Sequence, residues 1–372
     1  MKGLFPWRRG GFLAASFFLL LCGCGPQTGG YPFRELDTPE QRVFNGFAFL
    51  RKERLADAQR EFEQALHLRP KFSAAHRGIG LVQGMNKDFP RAFAAMALAE
   101  AHAQNELDRA LVDVGMMSLH RMEKGEGWLV LTEGRFEQAL AHSAGLPEAY
   151  MELGLAYKEA HRYADAEGVF RKILERNKTL LNEARGELEI LEKIRTARPR
   201  TTVGKEVVLA RRINRAQSAA LLAREFPVEE VADRAGVHRA ETLPVAPPDV
   251  LNHPMKEEIL LVLQLRIQGL ELLPDGAFAS DQFLTRAGFA TVVADLLVRG
   301  SASPGLQEKY VRAHSPFHDV RSTSPHFQSI MICYDWGGVM KGWEGYFHPM
   351  ETISGVDALL ILREAENKLK GK

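Results

Sequence analysis

Four glycines set the strictest limit on what this chain can fold into. Gly46, Gly80, Gly115 and Gly154 recur at spacings of 34, 35 and 39 residues. Twelve positions after each stands a small residue: Ala58, Ala92, Gly127 or Ala166. Sixteen positions after each stands a large apolar one: Phe62, Met96, Leu131 or Phe170. A small residue lets two antiparallel helices approach closely, and a large one fills the groove they leave. This period therefore predicts helical hairpins stacked side by side, each burying its apolar face against the next. All of these repeat residues are expected in the core.

The repeat runs from Phe44 to about residue 180. VFNGFAFLRKERLADAQREFEQALHLRP, closing with Ala65 and Pro70, and AYMELGLAYKEAHRYADAEGVFRKIL, with Tyr157, resemble the tetratricopeptide repeat. That family builds curved solenoids from helix-turn-helix units, and the unit around Gly115 departs from it most. The resemblance implies an inner face that grips a protein or peptide segment. The amphipathic stretch that follows is placed to cap the solenoid's apolar end. Residues 40–195 thus read as a solenoid with its capping helix, and 196–206 as a basic linker. Between Lys193 and Arg215 eight Lys or Arg stand against the single acid Glu206, a stretch suited to a solvated linker or to an anionic surface.

A second period follows. Asp249-Val250 returns as Asp319-Val320, and Gly276-Ala277-Phe278 as Gly345-Tyr346-Phe347. Asn214, Thr285 and Ser354 are separated by 71 and 69 residues. Each full unit reads as a first helix, a turn-rich loop and a second helix that opens at one of these caps, whose side chain accepts a first-turn amide. Gln217 and Asp357 stand where a capping box needs them; the middle unit has Gly288. A helix N-terminus attracts anions, and Arg215 and Arg286, one residue inside it, add a fork of donors suited to carboxylate or phosphate. Taken alone, the same residues also describe an ordinary helix start.

The order Asp-Val, PDGAF, LTRAGFATVVADLL resembles the S-layer homology module. Residues 253–299 cover nearly all of one module and 326–366 a divergent second. Residues 207–226 carry the second helix of another, whose Asp-Val start near residue 179 is missing. The C-terminal part, 207–372, is accordingly divided into a partial unit (207–240), a complete one (249–300) and a divergent one (319–366). The resemblance implies a helical, pseudo-threefold unit that holds an anionic cell-wall or surface polysaccharide. Arg215 and Arg286 match the family's ligand-binding arginine, and Asn214 and Thr285 match its cap. The motif glutamate is replaced by Gln217 and Gly288, and the third unit has Gly355 for the arginine, so at most two working pockets are implied. Trp336, Trp343 and Tyr346, with Tyr334, cluster around a glycine-rich loop, either as a shelf for stacking sugar rings or as core and loop packing.

At the N-terminus, Lys2, Arg8 and Arg9 precede an apolar run from Phe12 to Leu21. The run is too short to span a bilayer comfortably and fits an export signal. Leu21-Cys22-Gly23-Cys24 resembles the lipobox of bacterial lipoproteins. That implies a signal peptide over 1–23, lipidation of Cys24, a flexible tether over 24–39 and stable membrane attachment. Gly25, in place of Asp, favours the outer membrane. Only Cys333 would then remain in the mature chain, without an internal disulfide.

With 45% apolar and 26% charged residues the chain is of ordinary globular type. A net charge of +1 leaves it without the field that nucleic-acid binders use. It has no GxSxG, HExxH, Walker-type loop or dinucleotide fingerprint. His253, His314, His318, His326 and His348 gather late, but a metal site needs convergent ligands, and Pro316 opposes a helix between His314 and His318. No cofactor, metal or catalytic residue is expected. The reading is an all-α, non-enzymatic envelope lipoprotein that tethers a protein partner and docks on an anionic glycan. The alternatives are an assembly or secretion accessory with structural C-terminal modules, and a glycan-processing enzyme.

Overall fold

The structure, a computed structural model, describes residues 38–176, 179–238, 246–301, 305–306 and 308–371. The leader, Cys24 and most of the tether lie outside these residues. The described chain is all-helical, and its only extended pairings are three isolated bridges.

Eight helices form four antiparallel hairpins: α1 (Pro39–Arg51), α2 (Leu55–Leu68), α3 (Ser73–Met85), α4 (Phe89–Ala101), α5 (Glu106–Glu123), α6 (Trp128–His142), α7 (Pro147–Glu159) and α8 (Tyr163–Arg176). Several start signals are visible in the residues. Thr38, Asp88 and Asn105 each accept a first-turn amide, and Pro39 occupies a position whose amide would be unpaired anyway. The repeat glycines stand where an aromatic ring lies on the backbone. A Cβ at Gly46 or Gly154 would sit 2.5 Å from the ring of Phe62 or Phe170, both fully buried. Helices α1, α3, α5 and α7 contact one another in succession and so line one face.

The third hairpin departs from the expected register. Its first helix, α5, has 18 residues against 13 in α1, α3 and α7. The added length shifts the packing positions of α6 to Thr132, Phe136 and Ala139. Gly127 instead caps α6 in a left-handed conformation at φ 66°, and Leu131 is 49% exposed. The expectation that Gly127 and Leu131 lie in the core is corrected accordingly.

Beyond the solenoid come α9 (Leu181–Ala197), α10 (Thr202–Val207), α11 (Arg215–Glu225), α12 (Val228–Arg234), α13 (Lys256–Gln264), α14 (Arg286–Ser301), α15 (Phe327–Met331) running into a π-helical turn (Ile332–Trp336), and α16 (Gly355–Lys370). Helix α13 packs on α11 and α15 on α14, so the first helix of one unit lies on the second helix of the unit before it. The third such contact is α9 on α16. Helix α9 thus stands where the first unit's missing first helix belongs. It also packs on α8. Ala184 and Leu191 lie in the solenoid core with Phe170, while Ile194 and Ala197 lie in the C-terminal core. One helix belongs to both halves.

The segment read as a basic linker, 196–206, is therefore corrected to part of the packed junction. Buried Glu225 accepts hydrogen bonds from the Arg200 and Thr201 amides at 3.0 and 2.7 Å and from Thr201 Oγ1 at 2.7 Å, and pairs with Arg363 of α16. A charge taken out of water needs partners of this kind.

The three units close on each other at their axis. The Ile213 amide donates to the Ile353 carbonyl (2.9 Å), Ile353 to Leu284 (3.3 Å) and Leu284 back to Ile213 (3.0 Å). A single apolar core, from Ile194 to Leu369, lies around this ring.

Candidate functional site

The sequence places its candidates at the mouths of α11, α14 and α16. Asn214, Thr285 and Ser354 all cap as expected, accepting the amides of Gln217, Gly288 and Asp357. The Gln217 side chain returns a bond to the Asn214 amide and completes a capping box. At α11 and α14 the remaining first-turn amides meet the next unit. Arg215 and Ala216 donate to the Gln282 and Ser280 carbonyls at 3.0 and 3.1 Å; Arg286 and Ala287 donate to those of Glu351 and Pro349 at 2.7 and 3.1 Å. The orphan donors of a helix start are satisfied here by protein.

The two arginines follow the same pattern. Arg215 is buried and donates through Nε to the Phe278 carbonyl (2.7 Å), through Nη1 to Gly269 (2.9 Å) and through Nη2 to Glu271 (2.5 Å). Arg286 donates through Nε to Phe347 (2.9 Å) and through Nη2 to Lys341 (3.1 Å). Each guanidinium also lies over the ring of the phenylalanine it bonds, at 4.8 and 5.0 Å. The other side of each phenylalanine is held by the unit's opening aspartate. Asp249 accepts the Phe278 and Ser280 amides, and Asp319 those of Phe347 and His348. Burial alone would raise these carboxyls, but the amides hold both below the ordinary carboxylate range. Burial lowers the pKa of Arg215. Asp, Phe and Arg therefore form a repeated latch between successive units, in place of the open anion mouth read from the residues. Gly355 has its own reason: a Cβ there would lie 1.8 Å from the Val207 carbonyl.

The aromatic candidates separate. Trp336, on the π-helical turn, packs against the C-terminal core with Lys368 Nζ 5.5 Å over its ring. Trp343 and Tyr346 pair across a tight turn and are 73% and 44% exposed. Tyr346 lies 5.3 Å from His318 and is stacked on His348 at 6.0 Å. Two other late histidines serve locally: His326 bonds Thr291, and His253 accepts the Met255 amide. Among the described residues no three His, Cys, Asp or Glu converge as metal ligands, and no helix is long and apolar enough to cross a membrane. Cys333 is buried, and burial pushes its thiol pKa far up.

One large concavity is not announced by residue types. A groove of about 1480 Å³ runs between the inner solenoid helices and the C-terminal unit. Its apolar floor includes Trp128, Met151, Leu155, Ile190 and Leu209, and Ser354 and Asp357 of the third mouth close its far end. Ion pairs cross it from helix to helix. Arg121 of α5 meets Glu152 and Glu159 of α7 at 3.1 and 2.7 Å, Lys158 of α7 meets Glu187 of α9, and Lys193 of α9 meets Asp357 of α16 at 2.9 Å. Burial works against the charge on Arg121, yet the two glutamates hold its pKa above the usual value. The signal that could have located the groove is the recurrence of Arg121, Lys158 and Lys193 at intervals of 37 and 35 residues, close to the repeat period.

Comparison with protein-family models finds no match, and comparison with curated proteins finds no significantly similar sequence.

Proposed function

We propose that this chain is a non-enzymatic, lipid-anchored adaptor of the cell envelope, whose tetratricopeptide-type solenoid holds an extended segment of a protein partner. The C-terminal unit, of S-layer homology type, is the rigid end piece that closes the solenoid's groove. The observation that carries this is the groove between them, open and lined by apolar side chains among ion pairs already satisfied. Such a surface offers burial and side-chain complementarity without a reaction centre.

The test is a photo-crosslinking residue at Met151 or Leu209 in the groove, and at Val130, 69% exposed on α6, as the control. Both groove positions are expected to crosslink one and the same polypeptide in the membrane fraction, and Val130 to miss it. Cys24→Ser should move that adduct to the soluble fraction. Equal labelling from all three positions would refute the groove as the holding site.

A second reading keeps the anionic polysaccharide as a ligand but moves it from the arginine mouths to the exposed Trp343 and Tyr346 turn. It is favoured by that turn's exposure, since rings open to solvent are available for stacking on sugar. Wild-type protein should sediment with purified surface polysaccharide and Trp343→Ala should not. Unchanged sedimentation of the variant rejects this site.

A further inference from the structure

The outer face of the solenoid carries a separate concavity of about 690 Å³, walled by α6 and α8 and floored by α7. Because the hairpins are antiparallel and stacked in order, α6 and α8 run in the same direction. Their walls carry three pairs of positions one repeat apart: Val130 with Ala164, Gly134 with Gly168, and Glu137 with Lys172, at separations of 34, 34 and 35 residues. A Cβ at either glycine would meet nothing within 4 Å, so the space between the helices is open. The floor is apolar apart from Tyr150, which is only 6% exposed and whose hydroxyl has no hydrogen bond among the described residues. A tyrosine hydroxyl closed off from water takes a bond from whatever covers it.

The charges on the two lips are also unused. Glu133 and Asp165 are both taken by Arg162, at 3.0 and 2.7 Å. Glu137 on α6 and Lys172 on α8 have no ion-pair partner among the described residues. On the α6 lip Val130 is 69% and Leu131 49% exposed. The register shift of α6 leaves in solvent, at Leu131, the apolar filler that other hairpins bury.

We propose that this face is where two copies of the chain meet, with α6 of each entering the other's groove beside α8. A two-fold contact must be complementary to itself. One unpaired acid on one lip and one unpaired base on the other meet that condition. With the axis parallel to the helices, each Glu137 reaches the partner's Lys172, since both stand at the same level of the repeat. Val130 and Leu131 then enter beside the partner's Ala164 and Gly168, where no side chain larger than a methyl stands in the way. Helices of 15 and 14 residues give a face about 20 Å long, which is small beside a permanent dimer interface. The pair therefore forms and separates readily. It is independent of the inner groove and its occupant.

The test coexpresses two differently tagged full chains, each with a photo-crosslinking residue at Val130, and reads the adduct that carries both tags at twice the mass of one chain. Wild-type chains should give it. Glu137→Lys in both chains, or Lys172→Glu in both, sets like charges against each other twice and should lower its yield about tenfold. One chain with Glu137→Lys and the other with Lys172→Glu should restore it, because both contacts again join opposite charges. Gly168→Leu fills the groove from its own wall and should also remove the adduct. No two-tag adduct from wild-type chains overturns the proposal, as does a yield indifferent to the single swaps or one that the mixed pair fails to restore. The mixed pair uses the same two variants that fail alone, so misfolding cannot imitate its recovery. An adduct from the inner groove joins a different polypeptide and has a different mass, so each reading can fail without the other.

Discussion

A guanidinium bonded to backbone carbonyls is a cross-link between segments far apart in the chain. Removing Arg215 would strand the carbonyl of Phe278 in a buried site and those of Gly269 and Glu271 in a part-buried one. Unsatisfied buried acceptors cost about 1–3 kcal/mol each, so Arg215→Ala should destabilise the C-terminal unit by about 3 kcal/mol or more. Arg286 is half-buried and holds two carbonyls, one of them at an exposed position. Arg286→Ala should cost roughly half as much. Urea unfolding measures both, and equal or negligible losses would contradict the latch. The positions of both arginines and their caps were legible, because period and residue type are properties of the sequence. The direction of each head was not, because its partners are carbonyls, which every residue possesses. Gly355 was legible only as an absence; its cause, the Val207 backbone pressed against it, is a tertiary contact.

Among the elements, α9 carries the most consequence. Its leading turns belong to the solenoid core and its last turn to the C-terminal core. Leu191 and Ile194 stand three residues apart on opposite sides of that division and are both buried. Truncating a buried Leu or Ile to Ala costs about 2–5 kcal/mol. Leu191→Ala and Ile194→Ala should therefore each lower one shared unfolding transition, followed by calorimetry. Two separated transitions, with each variant moving only its own, would mean that the halves fold independently. The hairpins themselves were readable, since Gly46 with Phe62 and Gly154 with Phe170 require close approach at fixed spacing. The third was misplaced because the extra length of α5 shifts Thr132, Phe136 and Ala139 out of the period. The double role of α9 left no mark at all, for its Asp-Val start is missing and a capping helix has the same amphipathic pattern.

For the whole molecule, the buried and bonded carboxylates tie stability to pH. Burial would raise Glu225, but Thr201, the Arg200 and Thr201 amides and Arg363 hold it below the ordinary range. Asp249 and Asp319 are held low by their amide donors. A carboxyl whose folded pKa lies below its unfolded value stabilises the fold above the unfolded value, and that contribution is lost as pH falls through the folded one. The thermal midpoint should stay level from neutral pH to about pH 5 and fall below about pH 4. Glu225→Gln should start lower and fall less. A midpoint that rises on acidification would contradict this assignment.

The Ile213, Leu284 and Ile353 ring also separates two ways of growing. A stack of hairpins has a free end and can lengthen by duplication of one more copy. A circle of three has none, since each amide and carbonyl at its centre is already taken by a sister unit. Variation in size among descendants of this chain should therefore accumulate before α9, and an insertion of a fourth unit after it would have to open the circle first.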